Sequence, residues 1–130
     1  SNFVLKGEKI VILAIGPIVS EAITACQKLS KAGLKIALVS MSTIKPLDSN
    51  FLENLVSCGF TSWVSLEEHY VTGGLGSALL EWLSDRNLTS ISLQRIGIKD
   101  HFIHQLGDQD YVREKESIDA EGIINTINSL

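Results

Sequence analysis

Apolar positions along this chain switch repeatedly between two periods. Ile10-Val11-Ile12-Leu13-Ala14-Ile15 is apolar throughout and rich in β-branched residues, which suits a central parallel strand buried on both faces. Gly16-Pro17 stops the run, with Gly16 placed to cap a helix and Pro17 to sit in its first turn. Val19, Ala22, Ile23, Cys26 and Leu29 then recur at helical spacing, and Gly33 supplies a C-cap. Lys35 to Met41 reads as a second strand. In the turn that follows, Lys45-Pro46-Leu47-Asp48, Asp48 can cap a helix with Phe51, Leu52, Leu55 and Val56 on its apolar face, and Gly59 ends that helix. Thr61 to Leu66 predicts a third strand, Leu75, Ala78, Leu79, Trp82 and Leu83 a helix, and Ile91 to Ile96 a further strand. Asp119 is placed to cap a last helix carrying Ile123, Ile124, Ile127 and Leu130. Phe3-Val4-Leu5 adds a short strand at the start, while Ser1-Asn2, which lack an initiator Met, are treated as a cloning remnant and left out of the fold. Gly97 to Glu116 is the longest stretch without a period; long loops of this kind are often functional or contact a partner.

Alternating strands and helices predict a mostly parallel sheet with helices on both faces. In such folds the loops after the strand C-termini meet along one edge, where ligands or partners bind. With 130 residues and 14.2 kDa, the chain is one domain, residues 1–130, large enough for its own core. A net charge of -4 with scattered Lys and Arg gives no basic stripe for nucleic acid. No apolar run approaches the roughly 20 residues of a membrane span. Cys26 and Cys58 lack metal-ligand spacing and predict reduced, buried thiols in a cytoplasmic protein.

The candidate chemistry gathers in Ser65-Leu66-Glu67-Glu68-His69-Tyr70-Val71-Thr72-Gly73-Gly74-Leu75-Gly76, one of the loops after a strand. Three readings compete. A Gly-rich loop opening a helix can cradle an anion on its backbone N–H groups. Yet Gly73-Gly74-Leu75-Gly76 is neither a dinucleotide fingerprint nor a P-loop, and Glu67 and Glu68 would repel a phosphate. As an acid/base site, Glu67 and Glu68 are adjacent at a strand end, so their side chains diverge, and His69 has no nucleophile motif to serve. His101 and His104 have a spacing that a helix could use for a metal, but no third ligand accompanies them. The third reading is a rigid strand-to-helix corner, with glycines for close approach and with acids and His69 for polar contacts within the domain or across an interface.

The ordered set of motifs resembles the C-terminal domain of the transketolase family of thiamine diphosphate enzymes. The resemblance covers nearly the whole chain: VILAIGPIVSEAITACQKLSKAG, then IKPLD with Pro46 and Asp48, then LEEHYVTGGLGSALLEWL, then RIGIKDHF with Gly97, Asp100 and Phe102, then IDAEGIINTI. His104-Gln105-Leu106-Gly107-Asp108 departs from the tighter His-Gly or Ser-Gly turn usual there. The resemblance implies a three-layer α/β/α sandwich on a five-stranded, mostly parallel sheet of order 1-3-2-4-5 with strand 1 antiparallel. It also implies that Gly16, Pro46, Asp48, Glu67, Glu68, His69, Gly73, Gly74, Gly76 and Asp100 serve structure or an interface, and that this chain carries no catalytic, cofactor-binding or metal residues. Thiamine diphosphate and Mg²⁺ would be held in the parent enzyme by its cofactor-binding domains or N-terminal subunit, because the Gly-Asp-Gly diphosphate motif, its downstream Asn and the activating Glu are absent here. The implied activity is transfer of a two-carbon ketol unit between sugar phosphates by a homodimeric enzyme that this domain helps to assemble. A deoxyxylulose-phosphate synthase, a 2-oxo acid dehydrogenase β subunit with this domain as docking module, and a stand-alone small-anion binding module are the alternatives.

Overall fold

A computed structural model describes residues 1–16, 18–44, 46–67, 74–97 and 120–130. In chain order the elements are β1 (Asn2–Leu5), β2 (Ile10–Ala14), α1 (Val19–Lys31), β3 (Ala37–Ser40), α2 (Ser49–Ser57), β4 (Ser62–Glu67), α3 (Leu75–Asp85), β5 (Ser92–Gly97) and α4 (Ala120–Asn128). The strands form one sheet of order β1-β3-β2-β4-β5. β1 runs antiparallel to β3, and every other pairing is parallel. The expected order and the antiparallel first strand are both present. Asn2 belongs to this fold, since it opens β1 opposite Ser40.

Two cores flank the sheet, because successive side chains of a strand point to opposite faces. On one face Ile12, Leu38, Val64 and Leu66 pack with Cys26 and Leu29 of α1 and Ile123 and Ile127 of α4. On the other, Val11, Leu13, Val39 and Trp63 pack with Leu52 and Leu55 of α2 and Leu79 and Trp82 of α3. Trp63 and Trp82 stack at 6.0 Å between ring centroids. Trp82 Nε1 donates to Ser49 Oγ at 3.0 Å, and Arg86 lies over the Trp82 ring at 4.2 Å while donating to the same hydroxyl. This cluster ties the start of α2 to the end of α3. It had no signature in the linear pattern.

The helix ends follow from local chemistry, with one exception. Asp48 caps α2 by accepting the Phe51 N–H at 3.4 Å. After α1, Gly33 adopts φ +93, its N–H donates to Ser30 O, and Leu34 N–H donates to Leu29 O. That pair of bonds satisfies two of the orphan carbonyls at the helix end. Gly16 does not cap α1 as expected. It takes φ +87 and its carbonyl accepts the Val19 N–H at 3.3 Å, so it opens the turn ahead of the helix, and Ile18 holds the cap position without a side-chain bond. Pro17 lies outside the described residues. The expectation of two buried thiols is half corrected: Cys26 is buried, but Cys58 sits at the exposed C-terminal end of α2. No described helix is long and apolar enough to cross a membrane.

Candidate functional site

β2 lies at the centre of the sheet, paired with β3 on one side and β4 on the other. The helices that follow β2 and β4 pack on opposite faces. The C-terminal ends of these two strands therefore form the switch point of the fold, the usual place for a crevice. Ile15 N donates to Leu66 O there at 3.2 Å, and Met41 N donates to Ala14 O at 2.8 Å.

Glu67 is the last residue of β4 and is 1% exposed. Its carboxylate turns onto the first turn of α3, accepting the Leu75 N–H at 2.8 Å and the Gly76 N–H at 3.4 Å. These are two of the N–H groups that a helix leaves without internal partners, and the positive end of the helix dipole adds to the attraction. Glu67 makes no ion pair among the described residues, so the helix end is its counter-charge there.

The glycines make this contact possible. Gly74 is the N-cap of α3, in extended conformation at φ -102. A Cβ built at Gly74 would fall on the Glu67 carboxylate, 2.7 Å from its carbon. A Cβ at Gly76 would stand 2.7 Å from Arg95 Cδ and 2.9 Å from Ser65 Oγ. Neither glycine has a left-handed φ; close approach is what both positions require. Ser65, Glu67 and Arg95 alternate with the core residues Val64, Leu66 and Ile96, which puts all three under the start of α3.

Of the remaining predicted residues, Gly16 lies at the switch point just after β2, while Pro46 and Asp48 form the turn into α2. Thr43 Oγ1 donates to Pro46 O at 2.6 Å. Glu68, His69, Gly73 and Asp100 lie outside the described residues, as do His101, His104 and Asp119. No group of three or more His, Cys, Asp or Glu that could hold a metal occurs among the described residues.

A thiamine diphosphate would need a cradle for its diphosphate, and helix N-termini are the natural ones. Here the N-terminus of each described helix already has an acid. Glu21 is in the first turn of α1, Asp48 caps α2, Glu67 fills the start of α3, and Glu121 is in the first turn of α4. A dianion brought to the start of α2 or α3 would meet a carboxylate already bonded there, and at α1 and α4 it would approach an acid in the first turn. The described residues do not fit the cofactor.

Comparison with known proteins gives a consistent result. The chain is 35% identical over 120 residues to 1-deoxy-D-xylulose-5-phosphate synthase 2 of Geobacter sulfurreducens, covering 92% of this chain and 19% of that protein. It is 34% identical over 126 residues to an apulose-4-phosphate transketolase subunit of Actinobacillus succinogenes, covering 96% of this chain and 40% of that relative. The chain thus spans about a fifth of one relative and two fifths of the other. Among solved structures, a split-gene transketolase described as an inactive β4 tetramer superposes with a TM-score of 0.84 at 27% identity, over 98% of this chain and 41% of that one. The transketolase of Leishmania mexicana shares the fold, with a TM-score of 0.60 at 20% identity over 99% of this chain and 17% of that one. Residues 1–123 match the family described as transketolase, C-terminal domain, and the chain belongs to that family.

Proposed function

We propose that this chain is the C-terminal domain, or part of the C-terminal subunit, of a thiamine diphosphate-dependent transketolase-type enzyme, and that its role there is assembly rather than chemistry. The parent enzyme moves a two-carbon ketol unit between sugar phosphates in the cytoplasm. Its other domains or an N-terminal subunit hold thiamine diphosphate and Mg²⁺, and the cofactor supplies the carbanion chemistry. This domain packs against them and supports a homodimer. The observation that carries the reading is the Glu67 carboxylate on the Leu75 and Gly76 N–H groups. The glycine-rich strand-to-helix corner, which elsewhere would receive a phosphate, is closed by an internal carboxylate. Glu67, Gly74 and Gly76 are then architectural, and Glu68, His69, Gly73 and Asp100 are assigned with them to structure or the interface.

A second reading keeps the domain's role and changes the parent. Several relatives at 34–36% identity are 1-deoxy-D-xylulose-5-phosphate synthases, which favours that enzyme as the alternative. Titration calorimetry of this chain with thiamine diphosphate and Mg²⁺ tests the shared core of both readings. No saturable heat is expected, and micromolar binding would overturn the assembly role. Turnover assays of the parent enzyme with sugar-phosphate donors, or with pyruvate, then separate the two parents.

A further inference from the structure

At the end of the sheet away from Glu67, the connection between β1 and β2 borders a cleft of about 430 Å³. It is lined by Phe3, Phe60 and Gly59, by Cys58, and by Lys6, Gly7, Glu8 and Lys9. The volume falls within the range of small-molecule sites. Its floor is aromatic: Phe3 and Phe60 lie 6.3 Å apart between centroids, and Phe51 backs Phe3 at 5.3 Å. Its rim is charged, since Lys6, Glu8 and Lys9 are all exposed.

The backbone holds that rim in place. Gly7 lies flush against the chain at Lys35 to Ala37, and Glu8 N donates to Lys35 O at 3.0 Å. Lys9 has φ 64, a left-handed conformation that glycine adopts freely and a lysine does not. Its carbonyl accepts the Thr61 and Ser62 N–H groups at 3.0 and 3.1 Å, which fixes the residue where its side chain overhangs the cleft.

We propose that this cleft binds a small apolar carboxylate, its hydrocarbon or aromatic body on Phe3 and Phe60 and its carboxylate between Lys6 and Lys9. The charges select the class. Two lysines against Glu8 leave the rim with a net charge of +1, which suits a monoanion. A phosphate dianion would face Glu8 with too little positive charge to balance it, and an uncharged analogue would gain no charge contact from the two lysines. The site lies outside the Glu67 corner and does not depend on the assembly role.

Cys58 provides the assay, because its exposed thiol lines the cleft while Cys26 is buried. The rate of Cys58 alkylation by iodoacetamide is followed by mass spectrometry in rising concentrations of phenylpropionate. Saturable protection is expected, with none from inorganic phosphate and much less from phenylpropionamide. In a Lys6→Gln/Lys9→Gly variant the protection should need about tenfold more phenylpropionate, since two surface charge contacts are lost. Gly at position 9 preserves the left-handed backbone, and Lys6→Gln alone serves as the second variant. Absence of protection in the wild-type chain, equal protection by the amide, or protection unchanged in both variants would overturn the assignment.

Discussion

Replacing Gly74 with Ala offers a sharp test of the corner at the start of α3. The added Cβ would occupy the space of the Glu67 carboxylate, whose carbon lies 2.7 Å from the built position. The carboxylate must then leave the Leu75 and Gly76 N–H groups. A hydrogen bond to a charged group contributes roughly 1.5–3 kcal/mol, and the 3.4 Å contact to Gly76 belongs at or below the low end. An acid in the first turn adds roughly 0.3–1 kcal/mol through the helix dipole. The expected loss is about 3 kcal/mol, or about 10 °C in Tm for a domain of this size. Glu67→Ala removes the same interactions and should cost a similar amount. With the carboxylate gone, Ala at position 74 meets only the weak cap preference for Gly, which the lower entropy of the unfolded chain offsets to within about 1 kcal/mol. The double variant should therefore be about as stable as Glu67→Ala alone, with a coupling energy of about 2–3 kcal/mol. Urea titrations of wild type, both single variants and the double variant measure this. Simple additivity of the two costs would refute the argument, because Gly74 would then be required for some reason other than room for Glu67.

Two further outcomes follow from other parts of the fold. Gly7→Ala would drive a Cβ into the backbone at Lys35, Ile36 and Ala37, where no side chain can swing aside, and should cost at least about 1–3 kcal/mol in a thermal melt. Burial raises the Cys26 thiol from its ordinary 9.0 to about 11. The folded state thus keeps the proton longer than the unfolded chain does. This contribution is fully present below pH 9 and is lost as pH rises from 9 to 11, so wild type should lose stability relative to Cys26→Ala over that window. Parallel denaturation curves across the window would show the effect absent.

The linear pattern alone determined the elements and most of their ends. The β-branched run at Ile10 to Ala14, the spacing from Val19 to Leu29, Asp48 at the cap of α2, and Gly33 and Gly59 after their helices are each decided by contacts within a few residues. Such contacts exist wherever the segment lies, which is why they were legible. The order β1-β3-β2-β4-β5 was not legible from periodicity and came from the family resemblance, because both cores present the same apolar alternation to the reader. Tertiary structure alone decided what Glu67 does. In sequence it is one of two adjacent acids before a histidine, eight residues ahead of the first N–H group it serves. Only the docking of α3 beside the end of β4 brings the Leu75 and Gly76 N–H groups to its carboxylate and makes Gly74 and Gly76 necessary. The cluster of Ser49, Trp82 and Arg86 has the same origin, since Ser49 lies more than thirty residues from the other two and meets them only when α2 and α3 share a face. A buried charge is settled by which donors the packed layers place around it, and that is a property of the assembled sheet and helices, not of any segment.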